Sequence, residues 1–301
     1  MAIAVTGASG GIGSRLVNML RSQGHNVLAL SRHRPLNLDA AVAWKSYSLS
    51  DPVEATAGKL HDVDHVVHLA AALPGSAADE LETSHFWDNN VIGTQHLIEA
   101  MTRAKVGRLI LASSANIYRT DQGEVAEDSP IGPQSRVHYL ASKATQEWLA
   151  ASMCKDRDIS RAVMRISSVI GDGRSIVDRL ANDLAAQNPV RIDDGAAFGA
   201  DFIERDDVCR GIMLAIELEL HGDYNLSSGT RTELIDAVLE LAKIFDSGPG
   251  AIKMMHADRA PDTGFPAINC DKLRNLGFEP QPIADVLRCI AERAKMKVVA
   301  A

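Results

Sequence analysis

The run Thr6-Gly7-Ala8-Ser9-Gly10-Gly11-Ile12-Gly13 constrains this chain more than any other. The apolar stretch Ala2–Thr6 precedes it, and an amphipathic stretch, Gly11–Gln23, follows and stops at Gly24. A strand that turns at once into a helix needs glycine in this rhythm. Gly7 permits the tight turn, Gly10 lets backbone approach a pyrophosphate, and Gly13 lets helix and strand pack closely. The helix start then presents N–H groups and the positive end of its dipole to phosphate. Gly7, Ser9, Gly10, Gly11, Ile12 and Gly13 are therefore read as cofactor-binding.

Short apolar runs continue to alternate with helical patterns, as parallel βαβ units do. Strands are expected at Asn26–Ser31, Val42–Ser48, His65–Ala70, Arg108–Ser113 and Arg161–Ser167. The fourth is apolar after its first residue except at His68, which suits a strand buried on both faces. Between them, Asp51 is expected to cap a short helix that begins at Pro52, and a long helix spans Asp79–Ala104. A Gly/Pro-rich loop, Thr120–Gln134, leads to a helix carrying Tyr139 and Lys143. After Gly171 the alternation loosens. Helices are expected at Ile176–Gln187, Asp207–Glu219, Thr232–Phe245 (with Thr232 as N-cap) and Ala284–Lys297, with a short strand at Tyr224–Leu226. The fold class is α/β: a doubly wound parallel sheet over residues 1–170, then a smaller lobe over 171–301 that is interleaved with the sheet.

The net charge of −8 argues against a nucleic-acid surface. No apolar run approaches the ~20 residues of a membrane span, and no signal peptide is visible, so a cytoplasmic protein is expected. Cys154, Cys209, Cys270 and Cys289 lie far apart, without metal-ligand spacing. They read as free thiols in a reducing compartment, and no metal site is expected.

The end of the second strand bears on which dinucleotide the glycine loop holds. A carboxylate there suits the ribose hydroxyls of NAD, and arginine suits the 2′-phosphate of NADP. The chain reads Leu30-Ser31-Arg32-His33-Arg34, with no acid before Asp39. NADP is expected in preference to NAD, with Arg32 on the phosphate. Ser113 and Ser114 end a strand, where an open α/β sheet places its ligands. Tyr139 and Lys143, four apart on a helix, share one face. A nearby ammonium favours phenolate and is expected to lower the tyrosine pKa from its ordinary ~10. Together a hydroxyl, a phenol and an ammonium form a proton-transfer set beside a hydride carrier.

With these residues in view, the chain resembles the extended short-chain dehydrogenase/reductases, the group of nucleotide-sugar epimerases, dehydratases and 4-ketoreductases. Thr6–Gly13 matches that family's TGxxGxxG and His68-Leu69-Ala70-Ala71 its HLAA. Asn90-Val91-Ile92-Gly93-Thr94 matches NVxGT, and Ser113–Tyr118 matches SSxxVY. Tyr139 and Lys143 match YxxxK. Met164–Gly171, Tyr224-Asn225-Leu226 and Asp271–Pro280 resemble its later segments. The resemblance implies a Rossmann fold with a C-terminal substrate-binding lobe. It implies catalysis by Ser114, Tyr139 and Lys143, and cofactor contacts at Leu49, Leu69, Ala70, Asn90, Tyr139 and Lys143.

Departures from the family pattern bear on the reaction. Ala115 and Asn116 stand where dehydratases carry an Asp-Glu pair, which disfavours dehydration. Ala200 stands where epimerases place an arginine on the diphosphate, and Ser168 where some place a substrate-binding Asn. Against these, Arg259-Ala260-Pro261-Asp262 resembles a segment whose arginine grips the diphosphate. The resulting expectation is a NADPH-dependent 4-ketoreductase of a nucleotide sugar, with Ser168 and Arg259 on substrate. The alternatives are a nucleotide-sugar 4-epimerase, a reductase of a smaller carbonyl compound, and a non-enzymatic NADP-binding redox sensor. A homodimer is expected through the helices near 79–104 and 139–155, with Leu97, Ile98, Met101, Trp148 and Leu149 as apolar candidates for its interface or for the core.

Overall fold

The structure, a computed structural model, describes residues 1–36, 38–75, 83–119, 121, 123–132, 138–193, 198–255 and 263–300. It divides into two units that are not contiguous in sequence. The first comprises Met1–Arg119, Pro130–Arg165 and Cys209–Tyr224; the second comprises Thr120–Ser129, Ile166–Val208 and Asn225–Ala301. Each draws on parts of the chain from both sides of the boundary expected near residue 170.

The first unit is built on β1 (Ala2–Thr6), β2 (Asn26–Ser31), β3 (Ala43–Ser46), β4 (His65–His68) and β5 (Arg108–Ser114). Two further strands, Ser160–Ile166 and Gly222–Leu226, extend the sheet, giving the order Gly222–Leu226, Ser160–Ile166, β5, β4, β1, β2, β3. Every pair from β5 to β3 is parallel. The chain winds outward from β1 through β2 to β3, then returns to β4 and winds the other way. The switch point between β1 and β4 is where such sheets bind ligands, outside the carboxyl ends of the strands. Gly7 and Leu69 follow those two ends.

Burial explains why these stretches become strands. All four residues of β4 and four of the five in β1 are buried. Helices cover the sheet: α1 (Gly11–Ser22), α2 (Val53–Lys59), α3 (Thr83–Phe86), α4 (Gly93–Ala104) and α5 (His138–Asp156). Leu16, Val17 and Leu20 recur at helical spacing on α1 and are fully buried. Leu97, Ile98 and Met101 of α4 do the same in a cluster with Val66, Leu109 and Val163. Each such side chain contributes about 1.5–3 kcal/mol by leaving water. The α5 helix is different, because its buried face carries Ser142, Lys143, Gln146 and Glu147. Arg165 answers Glu147 at 2.9 Å and donates to the Tyr118 hydroxyl at 2.8 Å, which anchors this polar helix to the sheet.

Within the second unit, strands Ser168–Ile170, Gly199–Glu204 and Arg231–Glu233 form one small sheet. Val177, Leu180, Phe202, Val238, Leu241 and Ile290 lie in its hydrophobic core. Gly199–Glu204 is buried throughout, including two carboxylates. Asp201 accepts from Ser228 and Gly229 at 2.8 and 3.0 Å, and Glu204 pairs with Arg293 at 3.2 Å.

Several expectations shift. The third strand is shorter, Ala43–Ser46. Pro52, not Asp51, is the N-cap of α2, because the Asp51 carboxylate is engaged by Lys59 at 2.5 Å. Thr232 does not cap a helix: it lies in the Arg231–Glu233 strand paired with Ala200, and the helix starts after Glu233. The start of the expected Asp79–Ala104 helix lies outside the described residues. The described part is α3, a π-helical turn at Trp87–Ile92, and α4. Cys154, Cys209 and Cys270 are buried and Cys289 is half-buried, and none of the four is in a disulfide. Among the described residues, no helix is long and apolar enough to cross a membrane.

Candidate active site

The glycine loop is shaped by contacts that tolerate no side chain. Gly7 has φ of +69°, and a Cβ there would stand 2.8 Å from the Ala70 nitrogen. A Cβ on Gly13 would lie 2.2 Å from the Gly7 carbonyl oxygen, and one on Gly10 would lie 3.2 Å from the same atom. The Gly10 N–H donates to that oxygen at 2.9 Å, closing the turn. No side chain caps the start of α1, and its first turn holds no acid. The first N–H groups of the helix are thus left to an anion. Ser9 is exposed, and Gly11 and Ile12 are half-buried. The cradle fits the pyrophosphate of a dinucleotide, with Gly7, Ser9, Gly10, Gly11, Ile12 and Gly13 around it.

Leu69 and Ala70 leave β4 half-buried beside this loop, and the Ala70 N–H donates to Thr6 Oγ1 at 3.1 Å. Arg32 is exposed immediately after β2. Leu49 is a core residue, packed so closely over Gly93 that a Cβ there would meet it at 2.8 Å.

The three expected catalytic residues all lie in the first unit. Ser114 ends β5, and its Oγ accepts from the Asn116 N–H at 3.2 Å. Among the described residues its own hydrogen has no acceptor and is left to donate. Ser113, beside it, has a buried Oγ that makes no hydrogen bond among the described residues. Tyr139 is half-buried in the first turn of α5, with its ring edge-on to Phe86 at 6.0 Å between centroids. Lys143, one turn on, is 3% exposed. Its ammonium donates to the Ala112 carbonyl at 2.6 Å and to the Gln146 side-chain oxygen.

The expected lowering of the tyrosine pKa is not found. Burial pushes Tyr139 up to about 12, and burial pushes Lys143 down to about 8. Both shifts have one cause: a site with little water penalises phenolate and ammonium alike. The ammonium is held by two neutral oxygens.

Asn90 clamps two segments together. It is fully buried in the π-helical turn. Its Oδ1 accepts from Ala72 N at 2.7 Å, and its amide donates to Ala72 O and to Ser142 Oγ at 2.9 Å. Both amide hydrogens are thereby used inside the protein, and Asn90 ties the segment after β4 to α5. Ser142 in turn donates to the Tyr139 carbonyl at 2.6 Å.

His68, Thr94 and Gln146 were not singled out by the sequence for their chemistry. The His68 ring lies between Thr6 Oγ1 at 2.8 Å and Thr94 Oγ1 at 3.0 Å. Burial, then the charge of Lys143, pushes its pKa down to about 3, so it is neutral. Gln146 donates to Thr94 Oγ1 at 2.6 Å. The signals for this network were an apolar strand interrupted by one histidine and the motif matches that include His68 and Thr94; Gln146 had none.

Ser168 lies half-buried in the second unit, opposite Phe202. Arg259 lies outside the described residues. Among the described residues, no group of three or more His, Cys, Asp or Glu side chains could hold a metal ion.

Comparison with known proteins agrees with this geometry. Residues 3–227 match the NAD dependent epimerase/dehydratase family. A dTDP-4-dehydro-6-deoxy-D-allose reductase of Streptomyces bikiniensis is 27% identical, over 93% of this chain and 92% of its own. A dTDP-glucose 4,6-dehydratase of Streptomyces griseus is 29% identical, over 92% and 88%. The solved structure of MoeE5 in complex with UDP-glucose and NAD is 27% identical and superposes with a TM-score of 0.87, covering 99% of this chain and 100% of that one.

Proposed function

Because the chain belongs to the NAD dependent epimerase/dehydratase family, we propose that it reduces the 4-keto group of a nucleotide sugar, with NADPH as the preferred cofactor. The observation that carries this reading is the presence of Ser114, Tyr139 and Lys143 in the same unit as the glycine cradle. A bound nicotinamide dinucleotide supplies the hydride for the carbonyl carbon. Ser114, with its hydroxyl hydrogen free to donate, holds the carbonyl oxygen. Tyr139 delivers the proton that this oxygen needs as the carbon becomes an alcohol. A phenol pushed up to about 12 keeps its proton at neutral pH, which suits the acid that reduction requires. Lys143 stabilises the phenolate left behind. Ser168 and Arg259 are assigned to the substrate, Arg259 on the diphosphate.

The dehydratase among the relatives marks the competing elimination, but Ala115 and Asn116 offer no carboxylate for it. A 4-epimerase uses the same three side chains, oxidising and re-reducing one carbon. Purified protein incubated with NADPH and a 4-keto nucleotide sugar, and in parallel with a 4-hydroxy nucleotide sugar, separates the two. Net NADPH consumption is expected; interconversion of 4-epimers without consumption assigns the epimerase instead, and no turnover of either kind overturns hydride transfer. For the cofactor, Arg32→Ala is expected to weaken NADPH about tenfold, the scale of one hydrogen bond to a charged group, and to leave NADH unchanged. Equal effects on both would remove Arg32 from the 2′-phosphate.

A further inference from the structure

Lys143 is not aimed by its own helix alone. We propose that Gln146 is a positioning residue whose side-chain carbonyl, locked in orientation by Thr94, steers the Lys143 ammonium toward the reacting ligands; the inference rests on the hydride-transfer reading. Hydrogen-bond direction fixes the arrangement. The Thr94 hydroxyl donates to the Asn90 carbonyl at 2.7 Å, so its hydrogen is committed. Its oxygen can then only accept, from the Gln146 amide at 2.6 Å and from the His68 ring at 3.0 Å. Gln146 must therefore present its NH2 to Thr94 and its oxygen to Lys143. A flipped amide would set two lone pairs against each other at Thr94 and two sets of hydrogens against each other at Lys143.

His68 completes the lock. To donate to Thr94 it carries its hydrogen on Nε2, which leaves Nδ1 to accept from the Thr6 hydroxyl at 2.8 Å. Thr6 is the last residue of β1, directly before Gly7 of the cofactor cradle. A continuous chain of bonds thus runs from the mouth of the glycine loop through His68, Thr94 and Gln146 to Lys143. At its far end two of the three ammonium hydrogens are fixed, one by Gln146 and one by the Ala112 carbonyl at 2.6 Å. Among the described residues the third has no partner, and in the proposed reaction it serves the ligand. Gln146 is fully buried and Thr94 is fully buried, so water does not substitute for either partner.

Two pairs of variants test this. Gln146→Leu keeps volume but removes the carbonyl, whereas Gln146→Glu keeps an oxygen facing Lys143. With NADPH and a 4-keto nucleotide sugar, Gln146→Leu is expected to lower kcat about tenfold, the scale of one charge-assisted hydrogen bond, with KM for the sugar nucleotide within about twofold. Gln146→Glu, which keeps the oxygen toward Lys143 but loses the donor to Thr94, is expected to recover part of the loss. Wild-type kcat in Gln146→Leu, or equal losses in the two variants, overturns the proposal. Should Gln146→Leu fail to fold, Thr94→Val is expected to reproduce the kcat loss and Thr94→Ser to spare it; equal behaviour of those two overturns it as well. If the wild-type protein turns over no sugar nucleotide, the functional reading fails and the positioning role is still decided by NADPH fluorescence titration. Gln146→Leu then weakens NADPH binding more than Gln146→Glu does, while equal affinities in the two variants overturn the proposal.

Discussion

Burial around Tyr139 holds its phenol in the protonated form, the form that the proposed reduction needs. Tyr139→Phe removes one oxygen and leaves the edge-on contact with Phe86 intact. Turnover is expected to fall by at least about 100-fold, the low end for loss of a general acid, while NADPH binding by fluorescence titration persists. Retained turnover would show that another group moves the proton. His68 makes a prediction about stability. Its folded pKa is about 3, against 6.5 when unfolded. Between those values the unfolded chain binds a proton that the folded chain does not, so stability falls as pH drops through that window. This group alone is expected to cost about 2 kcal/mol between pH 7 and pH 5, within the limit of 1.36 kcal/mol per pH unit. Urea unfolding at the two pH values should show a shallower loss for His68→Gln than for the wild type. Equal losses would mean that the ring is protonated in the folded protein. The Tyr139–Lys143 spacing was legible in the sequence because it is local. The sign of the tyrosine shift was not, because it depends on burial, which the local spacing does not announce.

Elements place these residues, and the tightest constraint lies where β1 turns into α1. A Cβ on Gly13 would meet only backbone atoms, at 2.2 Å from Gly7 O and 2.8 Å from Gly7 C. Backbone cannot rotate away as a side chain can, so Gly13→Ala must open the loop. The variant is expected to lose at least about 2 kcal/mol of stability and most of its dinucleotide affinity, both read by thermal unfolding with and without NADPH. Full NADPH stabilisation in Gly13→Ala would show that the cradle is not the phosphate site. This loop and the strands of the main sheet were legible because parallel strands are apolar runs and glycine marks the turns. Gly199–Glu204 was not, because its Asp201 and Glu204 break the apolar pattern while bonds from Ser228, Gly229 and Arg293 allow their burial. The π-helical turn at Trp87–Ile92 was equally silent. It inserts no unusual residue, yet it turns Asn90 inward to reach both Ala72 and Ser142. Such wide turns recur at functional sites for this reason.

At the scale of the whole molecule, the division into two units follows from the chain's returns to the sheet, which no local pattern announces. Residues 209–224 rejoin the first unit after the chain has passed through the second. The expected dimer is narrowed in the same way. Of the five apolar residues considered for the interface, Leu97, Ile98 and Met101 are fully buried in the core and are unavailable to a partner. Trp148 on α5 is 59% exposed, and Trp87, in the turn packed against α5, is 44% exposed. An indole left in water is costly to a monomer and is the side chain most enriched at association hot spots. Light scattering is therefore expected to give twice the 32.3 kDa of the chain. Trp148→Glu places a charge where a symmetric interface would bring two together, because an isologous contact repeats each substitution. That variant is expected to run at the monomer mass while its thermal unfolding midpoint stays close to that of a wild-type monomer obtained by dilution. A wild-type mass of one chain refutes the dimer, and a dimeric Trp148→Glu moves the interface away from α5.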